Sequence, residues 1–246
     1  MDPLTTAAAA GLQANMDSFD MLANNLANTS TSGFKADREF YSSYLAPEAD
    51  DQFNPTVGES PVVQKQWTDF AQGTLQTTGN ATDLALSGKG FFVVNGPNGP
   101  LYTRGGSFRF NGQGTLVTAE GYPVRLKGGQ PLQAQGSGPI HVGIDGEVSQ
   151  DGIPLGQLEL ANFSDPTLLT RSAGTYFQNL DPQTNPLVPS TAEVNQGKTE
   201  TSNAMPAETA ARMISLMRHF EMLQHAIKLG TDMNRAAIEE VARVGN

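Results

Sequence analysis

The chain offers few groups that could do acid–base or metal chemistry: three histidines, of which only His219 and His225 are near one another in sequence. At 3.6 residues per turn, their six-residue separation puts them on different faces of a helix, so they do not form the i, i+4 pair of a zinc-binding helix. His225 follows Glu221 by four residues, the spacing of a modest charge pair on a surface helix. Gly88-Lys89-Gly90 has the outline of a phosphate loop, yet no lysine-serine/threonine pair and no helical pattern follow it. Phe91, Phe92, Val93 and Val94 follow instead, so the glycines read as a turn entering a strand. Asp145-Gly146 and Asp151-Gly152 lack the ligand ladder and closing glutamate of an EF-hand loop. No nucleophile-elbow sequence marks a Ser/His/Asp set. With no cysteine in the chain, disulfides and thiolate metal sites are excluded. No catalytic, cofactor-binding or metal-binding residue is assigned, and neither a cofactor nor enzymatic activity is expected.

Composition narrows the partners. A net charge of -10 and 25 acidic against 15 basic residues, with a pI of about 4.7, argue against a nucleic-acid partner, because no basic patch is there to displace counterions from phosphates. The same charge disfavours an anionic membrane surface. No run approaches the ~20 apolar residues of a membrane span, and no cation precedes Lys35 to mark a cleavable secretory signal. Neither membrane insertion nor signal cleavage is expected.

The residues with the clearest spacing lie at the two ends. Met213, Leu216, Phe220, Leu223 and Ile227 recur at alternating three- and four-residue steps, the seam of a coiled-coil helix. Ile214, Met217, Met222, Ala226, Leu229 and Met233 make a second stripe beside it. An ordinary core helix can carry the first stripe; two stripes ask for several neighbours. Asn203 is placed to cap this helix, with Pro206 in its first turn and Glu208 at the positive end of its dipole. Its charges cancel, so the net -10 lies upstream. At the other end Asp2-Pro3 reads as a helix start, and Leu4, Ala8, Leu12, Met16, Phe19, Ala23 and Leu26 repeat at helical spacing. The polar run from Asn24 to Ser32 reads as the stop and exit loop.

Between the helices the pattern changes. Residues 36–69 mix aromatic and acidic side chains with little periodicity and read as a linker. From Phe70 to Phe163, short apolar runs alternate with glycine, and Asn98-Gly99, Asn111-Gly112, Asp145-Gly146 and Asp151-Gly152 are turn dipeptides. Strands are expected at 84–87, 91–95, 101–104, 107–110, 115–118, 122–127, 140–144, 147–149 and 157–163. Ser164 to Gln196, with four prolines, reads as an irregular return path.

Three blocks resemble the flagellar rod and hook protein family. Ala23 to Lys35, ANNLANTSTSGFK, is similar to that family's N-terminal signature, carried by Asn24, Asn25, Leu26, Ala27, Asn28, Gly33 and Phe34. A central block contains Gly73, Thr78, Gly79, Asn80, Asp83, Gly90, Phe91 and Phe92. Gly197 to Asn203 and Met213 through Arg218-His219-Phe220-Glu221 are similar to its C-terminal part. Within the family the likeness is greater to proximal-rod than to distal-rod members.

The resemblance implies an α+β fold, in which long N- and C-terminal helices form a coiled-coil-like, tube-lining domain and the centre is all-β. It implies a division into 1–35 (helix and exit loop), 36–69 (linker), 70–196 (β domain) and 197–246 (terminal helix). It also implies helical assembly into the hollow rod that crosses the periplasm and transmits torque. The partners would be copies of the chain, other axial proteins, the base of the basal body, and the flagellar type III export apparatus. The assembly seam would be Leu4, Leu12, Met16, Phe19, Leu26, Met213, Leu216, Phe220, Leu223 and Ile227. A hook or other axial component of the same family is the alternative, ahead of a carbohydrate-binding or enzymatic β domain with helical extensions.

Overall fold

A computed structural model describes residues 3–44, 60–136 and 138–244, with side chains for residues 9, 11–39, 66–136, 138–236, 239 and 243. The chain divides into two compact units: residues 1–27, 37–67 and 205–246 form one, and residues 28–36 and 68–204 the other. Residues 45–59 of the expected linker, Asp2, and the side chain of Leu4 lie outside the described residues.

The first unit contains helix α1 (Pro3–Ala27), helix α2 (Pro206–Val244) and a two-stranded ladder of Asp37–Tyr44 with Ser60–Thr68. Proline stands at the first position of both helices, where a missing N–H costs no intrahelical bond. At 39 residues α2 is about 58 Å long at ~1.5 Å per residue. Thr209, Met213, Leu216, Phe220, Leu223, Ile227 and Gly230 follow a repeating 4,3 step, and all are buried or half-buried.

The expected fold class needs correcting in its helical part. The described residues contain two α-helices, one near each end, beside a β-rich body, and no coiled-coil-like tube-lining domain. In α1 the buried residues are Gly11, Ser18, Met21, Leu22 and Asn25, while Met16 and Phe19 of the expected assembly seam are exposed in the single chain. The cause is local. Gly11 packs so close to α2 that an added Cβ would lie 3.4 Å from Leu223. The Ser18 hydroxyl donates to the Glu39 carboxylate at 2.5 Å, and the Asn25 amide donates to Asp37 O at 2.7 Å and accepts from Asp37 N at 2.9 Å. A small residue and two polar anchors therefore set the buried face of α1, about one position or roughly 100° from the Met16/Phe19 face at 3.6 residues per turn, which is left exposed.

The second unit is built on a six-stranded antiparallel sheet, in the order Thr170–Ala173, Tyr176–Gln178, Gly99–Thr103, Phe91–Gly96, Leu160–Phe163 and Leu187–Val188. Side chains alternate across a strand, and both faces of this sheet are covered. Phe92 and Val94 join Leu101, Phe108, Leu116, Val124, Leu132, Val148 and Leu158 in one core. Phe91 and Val93 join Tyr102, Phe163, Leu169 and Phe177 in the other, with Phe70 against it. Continuous burial explains why Phe91 to Val94 is an unbroken apolar run.

Several strands fall where the sequence suggests, including Leu84–Ser87; others do not. Residues 122–127 make only isolated bridges, and 157–163 divides, Gln157 ending the strand Ile153–Gln157 and Leu160–Phe163 forming another. The supposed irregular return path contributes three strands of the main sheet, Thr170–Ala173, Tyr176–Gln178 and Leu187–Val188, which are too short to show a period. After them the chain runs back antiparallel to its own outward path: Glu193–Gln196 pairs with Leu84–Ser87, and Lys198–Glu200 pairs with Leu75–Thr77.

Candidate functional site

Two places gather the residues singled out by sequence. The first is the surface of the helical unit. Met213, Leu216, Phe220, Leu223 and Ile227 are half-buried toward α1, and Leu12 and Leu26 are half-buried on α1. Asn15, Met16, Phe19 and Asp20 of α1 and Leu216, Met217, Phe220 and Glu221 of α2 line an open apolar groove of about 330 Å³. Among the described residues the second α2 stripe is left open: Met222, Leu229 and Met233 are 61%, 63% and 65% exposed, with Ile214 and Met217 also exposed.

The second place, where the chain enters and leaves the β unit, is centred on Glu200. Its carboxylate is fully buried and accepts from Lys35 Nζ at 2.5 Å and Gly73 N at 2.9 Å through Oε1, and from Arg104 Nη1 at 3.2 Å through Oε2. Its carbonyl accepts from Gly33 N at 2.7 Å and Ser32 Oγ at 3.1 Å. Lys35 donates further to Ala71 O at 2.7 Å, and Arg104 Nη2 to Gly88 O at 2.6 Å, with its guanidinium over the Phe91 ring. Burial pulls the Lys35 ammonium below its usual pKa, and the Glu200 carboxylate opposes that shift; Arg104 is lowered in the same way. Deleting one partner of such a buried set leaves an uncompensated charge, at a cost of about 3–5 kcal/mol.

The family-motif residues have separate tasks around this centre. Gly33 has φ of 70°, and a Cβ there would lie 2.1 Å from Gly105 N; a Cβ at Gly73 would lie 2.1 Å from Thr201 O. Glycine is thus required at both positions. Phe34 is buried under the Arg171 guanidinium, 5.0 Å from its ring centroid. Asn28 accepts from Thr31 Oγ1, while Asn24 and Ala27 are exposed. Thr78 and Gly79 donate their amides to Gly197 O, and Asn80 donates to Asp83, whose carbonyl accepts from Gly197 N. Gly90 passes Ser190 where a Cβ would meet its hydroxyl at 2.4 Å.

Asn203 does not cap α2. Its side chain accepts from Ala36 N at 2.7 Å and donates to Asp69 O at 2.7 Å and Ala71 O at 3.1 Å. Sequence reasoning assigned no site role to Glu200, Lys35, Arg104 or Arg171. Nothing local marks the set, and the separation of 165 positions between Lys35 and Glu200 hides the pairing.

Residues 85–150 match the model of the flagellar hook protein FlgE/F/G D1 domain, and residues 195–240 match the flagellar basal body rod FlgEFG protein C-terminal model. The chain is similar to the flagellar basal-body rod protein FlgF of Caulobacter vibrioides, 33% identical with 92% of each chain covered. The chain belongs to the flagellar basal-body rod protein family. Other rod-protein relatives are FlgG of Buchnera aphidicola subsp. Schizaphis graminum, 31% identical over 91% of this chain and 94% of the relative, and FlgG of Borreliella burgdorferi, 30% identical over 92% and 94%. In this rod protein, among the described residues, no group of three or more His, Cys, Asp and Glu could hold a metal, and no helix is long and apolar enough to cross a membrane.

Proposed function

We infer that this chain is a structural subunit of the flagellar basal-body rod, and that the exposed stripe of α2 is where neighbouring axial subunits pack. The observation that carries the packing assignment is that Ile214, Met217, Met222, Leu229 and Met233, spread over the side of α2 away from its buried stripe, are left in water. Each such side chain contributes about 1.5–3 kcal/mol when fully buried, so five of them are a substantial drive to associate. A contact between unlike patches that does not close into a ring propagates as a helix, which suits a shaft. The groove beside Met16 and Phe19 adds apolar area to the same helical unit. The remaining seam residues, Leu12, Leu26, Met213, Leu216, Phe220, Leu223 and Ile227, hold the helix pair that presents this surface.

The role is mechanical: the subunit joins copies of itself and other axial proteins in the basal body, crosses the periplasm as part of the shaft, passes torque along it, and performs no catalysis. Delivery through the flagellar type III export apparatus is the route that membership of the rod family implies. The Arg218-His219-Phe220-Glu221 sequence favours a proximal position.

Met222→Asp tests the packing surface, because Met222 is 61% exposed and so contributes little to the fold of the isolated chain. The expected result is a folded protein, normal by circular dichroism, that fails to restore rods and swimming to a strain lacking this chain. Full swimming with the variant would remove the α2 stripe from the interface.

A further inference from the structure

We propose that Glu200 and Asn203 are the positioning residues of the rod subunit: they bind together the segments by which the chain passes into and out of the β unit. The chain crosses the boundary of that unit four times, at 27/28, 36/37, 67/68 and 204/205. Three of the crossings are tied to these two side chains. The exit loop is held by Lys35 on the Glu200 carboxylate and Ala36 N on Asn203 Oδ1, while Gly33 N reaches the Glu200 carbonyl. The inward pass is held by Gly73 N on Glu200 Oε1 and by Asp69 O and Ala71 O on Asn203 Nδ2. The last pass carries Glu200 and Asn203 themselves. Asp69 N also donates to Ala36 O, joining the first two passes directly at 2.8 Å.

This arrangement differs from that of the sheet cores. The cores hold their strands by apolar packing that does not depend on any one hydrogen bond. The three passes are joined by polar bonds that converge on two residues. Arg104, just past the strand Gly99–Thr103 of the main sheet, adds a second cation to Glu200 and also donates to Leu86 O and Gly88 O. All of these bonds lie within the β unit, and loosening them would let the three passes wander while the sheet stayed folded. The assignment goes beyond the packing role of α2 and does not depend on it.

The test uses the full, dilute chain, so it is independent of whether the protein assembles. In Glu200→Gln, Lys35 and Arg104 lose their counter-charge while the side-chain shape is kept. Hydrogen exchange should become at least tenfold faster in residues 32–36 and 69–73, with exchange in 91–95 and 100–103 unchanged. Because the chain has no cysteine, spin labels at Ser30→Cys and Gln76→Cys, both exposed sites in the β unit, report the position of the exit loop; their distance distribution should broaden in the variant. Asn203→Ala, at a half-buried site, should give the same pattern and keeps the test open if Glu200→Gln does not fold. Unchanged exchange in the three passes, or an equal increase throughout the sheet, would overturn the proposal, the second outcome showing a general effect on stability only.

Discussion

Phe92 and Met222 are both large apolar residues in regular structure, yet Phe92 is fully buried between the strands of its own unit and Met222 is 61% exposed on α2. The difference extends to their neighbours. Phe91, Phe92, Val93 and Val94 fill cores on both faces of one sheet, whereas α2 buries one stripe against α1 and leaves a second in water. A self-contained body and an unfinished helical surface therefore sit in one chain, and the same residue type has a different physical task in each.

The largest test of this contrast is truncation. Phe92→Ala should destabilise the body by about 3–5 kcal/mol, the usual cost of emptying a buried aromatic site. Met222→Ala should move the dilute protein by no more than ~0.5 kcal/mol, as exposed substitutions do. Urea titrations of the two variants compare them directly, and equal losses would break the distinction.

A smaller effect separates the regions by pH. Tyr176 is buried in one core of the body and bonded to Glu120, and burial, then that bond, pushes its hydroxyl above the usual tyrosine pKa. Tyr102, in the other core, is raised chiefly by burial and next by the charge of Glu159. A folded-state pKa raised in an acid means that the folded chain holds the proton longer than the unfolded one. Stability is therefore lost as pH rises above the unfolded value of about 10, by up to ~1.4 kcal/mol per pH unit for each tyrosine. Tyr176→Phe should flatten part of this alkaline loss, measured as the urea midpoint against pH, and leave it unaltered below neutrality. An unchanged alkaline slope would mean that Tyr176 does not titrate with unfolding.

Much of this division is legible in the sequence, and the missing parts have identifiable causes. Leu84 to Ser87 and Phe91 to Asn95 are legible because burial leaves an apolar record in consecutive residues. Residues Tyr176 to Gln178 and Leu187 to Val188 leave none, since strands of three and two residues cannot display a period and their pairing is decided by Tyr102 and Phe163 far away. The buried stripe of α1 is not legible because Gly11, Ser18 and Asn25 carry no hydrophobic signal; close approach and hydrogen bonds to Asp37 and Glu39 place them inward. Glycine and asparagine in the motifs mark special backbone positions, but the partners of Gly33 and Gly73 at Glu200 become visible only once the chain has folded back on itself.

The smallest effect concerns charge, where the two regions again part. Glu208 and Arg212 are 2.7 Å apart and Arg235 and Glu239 3.3 Å apart on α2, both pairs four residues apart and solvent-exposed. Such pairs contribute about 0.3–0.5 kcal/mol, and the order acid-before-base is the better one because it also suits the helix dipole. Glu208 has that order and sits in the first turn; Glu239 has the reverse. Glu208→Gln should therefore reduce the helicity of the dilute chain more than Glu239→Gln, by a few tenths of a kcal/mol at low salt. Raising ionic strength to 1 M shortens the screening length to about 3 Å and should erase the difference. The Lys35–Glu200–Arg104 set lies out of reach of that screening, so hydrogen exchange at Gly73 should not respond to the same salt. If it does, water and ions reach the joint, and the body is less closed than its cores imply.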